Sequence, residues 1–281
     1  MPWRARIRGR SPHSGRIGAV TVDRMLQVWR AADRYRGGDP EAGVDTRHAF
    51  SFSGFYDPDN TGFGTLVACN EERLAPGAGF PEHPHRDVEI VTWVVEGELE
   101  HRDSTTGRST RVRPGDVQRL GAGTGVRHVE RNAGEGELRF VQMWLVPGAY
   151  GSAEDGSAGD GSAGDGSEVR AAGAHRPREP EYEVVHGIAD GTPFAVPGTE
   201  AVLHVRRLPA GARTAVPEAA WVYVHVVRGA CELGGEWLAE GDAARITDAR
   251  ELAAAAAPAG PGGAGGAELL MWEMHAEPGY G

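Results

Sequence analysis

The chain has 281 residues, which is long enough for one large domain or two ordinary ones. Its 29 basic and 40 acidic side chains give a formal net charge of -11, which opposes non-specific attraction to nucleic acid or to an anionic membrane surface. The composition therefore favours neither of these partners.

The first 24 residues carry six arginines and little apolar periodicity. We expect them to be a disordered leader, or the start to be assigned too early, with Met25 as the alternative first residue. They resemble the beginning of a signal peptide, but no apolar run follows, and no later run approaches the 18 residues of a membrane span. The two cysteines, Cys69 and Cys231, lie in different predicted domains, so we expect small buried hydrophobes and no disulfide framework. The sequence thus predicts a cytoplasmic protein.

Short apolar-alternating runs fill residues 25–147, and Gly, Pro, Asp and Asn separate them. Strands spaced this closely, with no convincing amphipathic helix between them, predict a β-sandwich or a barrel. The runs are LQVW, HAFSFSGF, GTLVAC, EIVTWVVEGELEH, STRVRPGDVQRL and LRFVQMWLV.

Residues 148–180 include a repeated unit of small and acidic residues that cannot bury enough apolar surface to become ordered, so we predict a flexible linker. Similar β-like runs resume in residues 181–281, and an alanine- and glycine-rich tract from Ala253 to Ala267 is predicted to be a surface loop. Three later runs match earlier ones in the same order, which predicts an internal duplication and two similar β domains in tandem. The matched pairs are 93–101 with 226–233, 113–120 with 239–246, and 138–146 with 268–274.

Four side chains in two short stretches could converge on one metal ion. Residues at i and i+2 of a strand share a face, so His83 and His85 point the same way, as do His128 and Glu130. If the strand is unbroken, Glu89 and Trp93 continue the face of His83 and His85. Pro84 cannot donate to a central ladder, which places the first pair at a strand start or edge. If the two strands face one another across a barrel, they offer three imidazoles and one carboxylate to one ion.

This donor set contains no thiolate, which argues against a closed structural zinc site. It suits iron(II), manganese, nickel, copper or zinc, and an octahedral ion would keep two positions for substrate or dioxygen. A lone His-x-His pair is more often a surface or core feature than a ligand pair. The pair at His128 and Glu130, which follows a glycine-rich turn, is what favours a metal over that alternative.

These stretches resemble the two motifs of the cupin superfamily, with one extra residue before the last glycine of the first motif. The first motif falls on Gly77, His83, His85, Glu89 and Gly97, and the second on Gly125, His128 and Asn132. More closely, FPEHPHRDVEIVTWVVEGELEHRDS, RPGDVQRLGAGTGVRHVERN and HAFSFSGFYDP resemble the pirin branch, particularly bacterial pirin-like proteins with quercetinase activity. The resemblance covers residues 26–147 strongly and residues 181–275 weakly.

The resemblance implies an all-β bicupin, with two tandem β-barrel or jelly-roll cupin domains, whose first barrel binds a divalent metal, usually iron. The ligand pattern of the family maps onto His83, His85, His128 and Glu130. In ordinary cupins the glutamate of the first motif, here Glu89, is the fourth ligand, and spacing alone does not decide between the two. The pirin pattern places the carboxylate two residues after the last histidine. We therefore expect Glu130 to be the ligand and Glu89 to hydrogen-bond a ligand histidine.

The second domain offers no His-x-His pair, so we predict no metal there and expect His204 and His225 to be packed or surface residues. The activity that the resemblance implies is cleavage of a flavonol such as quercetin by dioxygen at an iron(II) site, with Glu130 as the base. The alternative is an iron-binding regulator or redox sensor that acts through a protein partner rather than through nucleic acid.

Four other ring-bearing side chains near the motifs are expected to be structural. His101 belongs to a run that ends in charged residues, which predicts a strand-end position rather than a fifth ligand. Trp93, Phe140 and Trp144 lie on predicted strands and are core residues first, although they could also line a flavonoid-sized cavity.

Overall fold

The computed structural model describes residues 26–147, 178–260 and 265–276, which form two β-barrels in tandem. The predicted all-β bicupin fold is therefore confirmed. The predicted leader lies outside the described residues, and so does the predicted linker except for residues 178–180. The domain boundaries stay a prediction. The helix in the described part of the chain is a 3-10 turn at Ala31–Asp33, and nothing there is long enough to span a bilayer as a helix.

Most of the described residues lie in β-strands, and most of these strands are short. In chain order the strands are β1 (Leu26–Trp29), β2 (Tyr35–Asp39), β3 (Val44–His48), β4 (Leu66–Leu74), β5 (Gly79–His85), β6 (Glu89–Glu96), β7 (Leu99–Asp103), β8 (Ser109–Val112), β9 (Val117–Gly121), β10 (Val126–Asn132), β11 (Leu138–Leu145), β12 (Glu181–Val185), β13 (Pro193–Val196), β14 (Ala201–Leu208), β15 (Arg213–Ala215), β16 (Trp221–Leu233), β17 (Glu236–Ala239), β18 (Ala243–Thr247), β19 (Ala253–Ala256) and β20 (Ala267–Met274).

The two barrels repeat one strand order, as expected of an internal duplication. The large sheet of the first barrel runs β12-β9-β6-β11-β4-β3-β2, and that of the second runs β1-β18-β16-β20-β14-β13. The runs matched in the sequence fall on β6 and β16, β9 and β18, and β11 and β20, which occupy equivalent places in these sheets. A smaller sheet, β5-β10-β7-β8, completes the first barrel, and β17, β19 and β15 extend from β16 in the second.

The barrels exchange one edge strand each. β1 precedes the first barrel in the chain but pairs with β18 of the second, with Trp29 opposite Ala243. β12 follows the predicted linker but pairs with β9 of the first, with Tyr182 opposite Leu120. Sheet membership therefore does not follow chain order at the two ends of the predicted domains.

Strand β6 shows how the sequence builds the layers, because both of its faces are buried. Trp93 faces the second barrel and belongs to a large apolar cluster that residues of both barrels share. Ile90 and Val94, on the other face, belong to two separate apolar clusters inside the first barrel. Thr92 lies between them and is fully buried, and Gln142 holds the corresponding position on β11. Inside the first barrel, the polar side chains of Thr92 and Gln142 therefore lie between two apolar clusters.

Two expectations from the sequence are corrected by the strand boundaries. The run after His85 is broken, because β5 ends there and β6 starts at Glu89, with Asp87 at a φ of 53° between them. The face that carries His85 therefore does not continue to Trp93. The alanine-rich tract is not only a loop, since β19 occupies its first four residues and buries Ala254 and Ala256 in the second barrel. Both cysteines are buried, as predicted.

Candidate metal centre

Three histidines meet where β5 lies against β10. β5 is the edge strand of the small sheet, as expected for a strand that contains Pro84, and its register places His83 opposite His128. The Nε2 atoms of these two histidines are 2.9 Å apart. The ring of His85 lies 4.7 Å from that of His83 and 4.9 Å from that of His128, between centroids. The i and i+2 spacing therefore brings the predicted imidazoles together.

Glu130 is fully buried beside these rings, and it belongs to a second group of donors that includes His101. β7 pairs with β10 so that His101 lies opposite Glu130. The His101 Nδ1 atom is 3.2 Å from Nδ1 of His128 and 3.8 Å from Oε1 of Glu130. The two groups share His128 through opposite sides of its ring, because Nε2 faces His83 and Nδ1 faces His101. The structure therefore brings His83, His85 and His128 together and places Glu130 in the adjoining group with His101. The expectation that His101 is merely a strand-end residue is wrong, because it is buried in this cluster.

Two glutamines hold the oxygens of Glu130. Gln142 donates to Oε2 at 2.9 Å, and Gln118 donates to Oε1 at 3.4 Å. Tyr182, from the exchanged strand β12, donates its hydroxyl to Gln118 at 3.3 Å and stacks on the ring of His101 with centroids 4.4 Å apart. Side chains of β9 and β11 therefore hold the carboxylate directly, and Tyr182 of β12 supports it through Gln118.

The sequence interpretation missed these positioning residues. Gln118 and Gln142 each interrupt an apolar strand run with a buried polar side chain, which is a signal that could have been used. Tyr182 carries no comparable signal, because its contact with the cluster depends on the exchange of β12.

The electrostatics of the cluster favour the neutral imidazole at His85 and His128 and the ionised carboxyl at Glu130. Burial lowers the pKa of His128 to about 4, against the attraction of Glu130, and burial with the neighbouring His83 lowers the pKa of His85 to about 4. Burial alone would raise the pKa of Glu130, but its hydrogen bond with His101 and the surrounding histidines hold it at about 2. Neutral imidazole and ionised carboxylate are the forms that bind a metal.

The donor atoms fit a divalent metal ion. The Nδ1 atom of His83 lies 2.8 Å from the Pro81 carbonyl and must donate to it, so Nε2, which faces Nε2 of His128, is the nitrogen available to a metal. Two nitrogens bound to one ion at about 2.1 Å and at a right angle lie about 3.0 Å apart, close to the observed separation. Nε2 of His101 is also buried without a hydrogen-bond partner among the described residues.

Glu89, the alternative fourth ligand, lies elsewhere. Its carboxylate accepts a hydrogen bond of 2.8 Å from Arg119, and Arg119 also reaches Glu181 at 3.0 Å. This ion pair lies on the face of β6 opposite Ile90 and away from the barrel interior. The contacts of the described residues therefore give Glu89 an arginine partner, rather than the ligand histidine that was expected.

An apolar pocket of about 290 Å³ opens over His83 and His85. Its other walls are Phe52, Asn70, Phe80, Pro81, Gln142 and Trp144. Of the three aromatic residues expected to be core residues first, Trp144 lines this pocket, and Phe140 and Trp93 are buried core residues outside it. Phe140 is packed inside the barrel, and Trp93 lies in the core between the barrels.

The two histidines of the second barrel that were singled out are engaged elsewhere, as expected. His204 pairs with Glu273 at 2.7 Å between Nε2 and Oε2. His225 is fully buried against the first barrel, with Nε2 at 3.1 Å from Oε1 of Glu71. Neither belongs to a cluster of metal-binding groups among the described residues.

Comparison with known proteins agrees with the fold. The family model Pirin matches residues 30–145, and the model of the quercetinase C-terminal cupin domain matches residues 199–260. A Mycobacterium bovis protein named "Putative quercetin 2,3-dioxygenase" is 37% identical over 265 residues, which cover 90% of this chain and 97% of that protein. The "Quercetin 2,3-dioxygenase" of Escherichia coli is 42% identical over 124 residues, 44% of this chain and 52% of that one. The crystal structure of bacterial pirin YhhW from Escherichia coli in complex with nickel(II) gives a TM-score of 0.70 at 24% identity, covering 91% of this chain and 100% of that chain.

Proposed function

Because this chain belongs to the pirin family of bicupin proteins, we propose that its first barrel is a metal-dependent dioxygenase site that cleaves a flavonol such as quercetin. The metal we propose is iron(II), held by His83, His85, His128 and Glu130, with manganese, nickel, copper and zinc as alternatives. We also propose a cytoplasmic location. The relatives named as quercetin dioxygenases support the substrate class.

The observation that carries the proposal is the position of the donor cluster beneath the pocket. Two of the proposed ligands, His83 and His85, form part of the pocket wall, so a molecule in the pocket contacts the donor cluster directly. The pocket volume of about 290 Å³ is at the lower end for small-molecule sites, and its surface is mostly apolar. A flat aromatic molecule with one polar edge suits such a pocket.

The pocket residues would orient the substrate in the reaction. Phe52 and Trp144 contact one another edge to face at 4.9 Å between centroids and present an aromatic wall to the substrate rings. Asn70 and Gln142 supply the amide groups of the lining. A divalent ion, when bound, polarises the oxygen of a substrate hydroxyl and lowers its pKa.

Glu130 is the group that we propose to receive the hydroxyl proton. Its pKa of about 2 means that it is ionised at neutral pH and can accept a proton, although such a carboxylate is a weak base. The substrate hydroxyl must therefore be acidified before the transfer. Gln118 and Gln142 would keep the carboxylate in one orientation during this step.

The test is oxygen uptake by the anaerobically prepared, iron(II)-loaded protein when quercetin is added, with carbon monoxide measured in the headspace. We expect uptake and carbon monoxide release that are absent from the metal-free protein. The variant His128→Ala should lose bound iron and turnover together, because the residue belongs to both donor groups. The matched control is His275→Ala, an exposed histidine of the second barrel, which should keep both.

Two results would contradict the proposal in different ways. Full iron content in His128→Ala would refute the ligand assignment. No oxygen uptake by wild-type protein with a filled site would refute the dioxygenase and favour the alternative, an iron-binding regulator or redox sensor. That outcome would make the search for a protein partner the next experiment.

A further inference from the structure

Buried polar atoms without a hydrogen-bond partner collect between the two barrels. Such atoms are rare in folded proteins, and each calls for an explanation, such as an ordered water or a bound ion. Those in this layer are Nη1 of Arg34, Nε of Arg139, the hydroxyl of Tyr223 and Nε of Arg245.

Three of the residues that carry these atoms line one small cavity. Arg34, Tyr223 and Arg245 form its walls together with Trp29, Asn60 and other residues, and the cavity has a volume of about 10 Å³. This is about the volume that one water molecule requires, so the cavity has room for a single small species. Each of the three is more than nine-tenths buried, and the Tyr223 hydroxyl has only the weakly polar thiol of Cys69 beside it.

Among the described residues, no carboxylate contacts the guanidinium of Arg245 to balance its charge. Its guanidinium donates to Oδ1 of Asn60 at 2.6 Å and to the carbonyl of Ala49 at 3.4 Å, both of which are neutral. It also lies over the rings of Trp29 and Phe50, at 4.2 Å and 4.3 Å from their centroids. A buried cation without a counter-ion is costly, so this site favours a negative charge.

The nearest carboxylates are engaged with other partners. Glu71 pairs with His225 at 3.1 Å and lies 3.9 Å from Nη1 of Arg34. Asp242 is bonded to Arg30 at 3.0 Å and to backbone N–H groups. Asp33, the carboxylate in the lining of the cavity, is exposed to solvent at its rim. Among the described residues none of these carboxylates contacts Arg245, so an anion bound beside it would balance its charge.

We propose that this cavity binds one small monovalent anion of the halide class, held by Nε of Arg245, Nη1 of Arg34 and the hydroxyl of Tyr223. The anion joins the barrels, because Arg34 lies just before β2 of the first barrel and Tyr223 and Arg245 lie on β16 and β18 of the second. It also braces the metal pocket. Arg245 holds Asn60 and Ala49, which flank the loop that places Phe52 in the pocket wall.

The test is thermal unfolding of the full chain in sodium chloride and in sodium gluconate at one constant ionic strength. We expect the unfolding midpoint to rise with chloride and to saturate as one site fills, with no such rise in gluconate. The measurement is made on metal-loaded and metal-free protein, because a halide can also occupy an open position at a metal ion. The cavity site predicts the same chloride dependence in both.

Two variants and one matched control locate the effect. Tyr223→Phe removes only one hydroxyl and should raise the half-saturating chloride concentration about tenfold, which is the loss expected for one hydrogen bond to a charged group. Arg245→Met should abolish the dependence, whereas Arg213→Met, at an exposed position of the same barrel, should keep it. If Arg245→Met does not fold, the shift in Tyr223→Phe still decides the matter.

Several outcomes would overturn the proposal. These are an equal rise in chloride and gluconate, a chloride effect confined to the metal-loaded protein, or wild-type chloride affinity in Tyr223→Phe. Crystals grown in sodium bromide give an independent check, since bromide scatters anomalously. A peak in the cavity supports the anion, and a water molecule refined there in its place refutes it.

Discussion

Removing the donor to one oxygen of Glu130 should weaken metal binding by an amount that follows the length of the hydrogen bond. Gln142 donates to Oε2 at 2.9 Å, which is an ordinary bond, whereas Gln118 donates to Oε1 at 3.4 Å, beyond the usual range. Both glutamines are buried, so leucine at either position fills a similar volume. The two substitutions are therefore a matched pair around one carboxylate.

The expected magnitude comes from the charge of the acceptor. A hydrogen bond to a charged group contributes about 1.5–3 kcal/mol, and 1.4 kcal/mol is a factor of ten in affinity. Gln142→Leu should therefore weaken iron(II) binding about 10- to 100-fold, the range seen when outer partners of metal ligands are removed. Gln118→Leu should cost less than about tenfold. Trp144, which donates to Gln142 at 3.1 Å, is half-buried and can bond to water instead.

The assay is anaerobic competition for iron(II) against a chromophoric chelator, with thermal unfolding of the metal-free variants as the check that they remain folded. Wild-type affinity in Gln142→Leu would refute the claim that this hydrogen bond orients the ligand. A larger loss in Gln118→Leu than in Gln142→Leu would refute the ranking by distance.

Three further predictions concern the stacked tyrosine, the pocket wall and the layer between the barrels. Tyr182→Phe should keep the stack on His101 and change the free energy of unfolding, measured in urea, by about 1 kcal/mol, whereas Tyr182→Ala should cost about 2–3 kcal/mol. Equal effects would mean that the stack contributes nothing. Phe52→Ala should raise the KM for quercetin about tenfold while iron content stays at the wild-type level, because Phe52 lines the pocket without belonging to the donor cluster. Loss of iron would contradict this. Burial opposes ionisation of Glu71, but its bond with His225 and the nearby arginines hold its pKa at about 2, below the ordinary 4.5. Its ionised form therefore contributes fully to stability above about pH 4.5, and this contribution is lost as the pH falls toward 2. Glu71→Gln should flatten this part of the stability profile measured by urea unfolding, and an unchanged acid limb would refute the assignment.

Local spacing was sufficient to predict that three histidines meet, because the i and i+2 pairs lie within single strands. His83 and His85 share a face of β5, and one register between β5 and β10 brings them to His128. The same argument failed for the run beyond His85. Strand β5 ends at His85, and Asp87, at positive φ, separates it from β6, which starts at Glu89. The alternation of β5 therefore cannot be continued to Glu89. A period of two holds only within an unbroken strand.

Contacts between distant strands could not be predicted from any local pattern. Tyr182 reads as an ordinary residue of an alternating run, and its place beside His101 follows only from the pairing of β12 with β9. Arg245 likewise reads as an exposed strand residue until the packing of the barrels buries it. In both cases the deciding information is which strands become neighbours, and this depends on the energy of the whole core.

The exchange of edge strands shows how the second part of the chain, which has no predicted metal ligands, contributes to the first barrel, which has them. Tyr182, which stacks on His101, lies on β12, a strand that follows the predicted linker and completes the large sheet of the first barrel. The shared core adds to this dependence, because Trp93 donates to Glu268 at 2.7 Å and Trp272 lies 3.1 Å from the sulfur of Met143 across the layer. Separating the barrels would expose these large side chains to water. The second barrel therefore supports the proposed metal centre indirectly, by packing against the large sheet that carries Gln118 and Gln142.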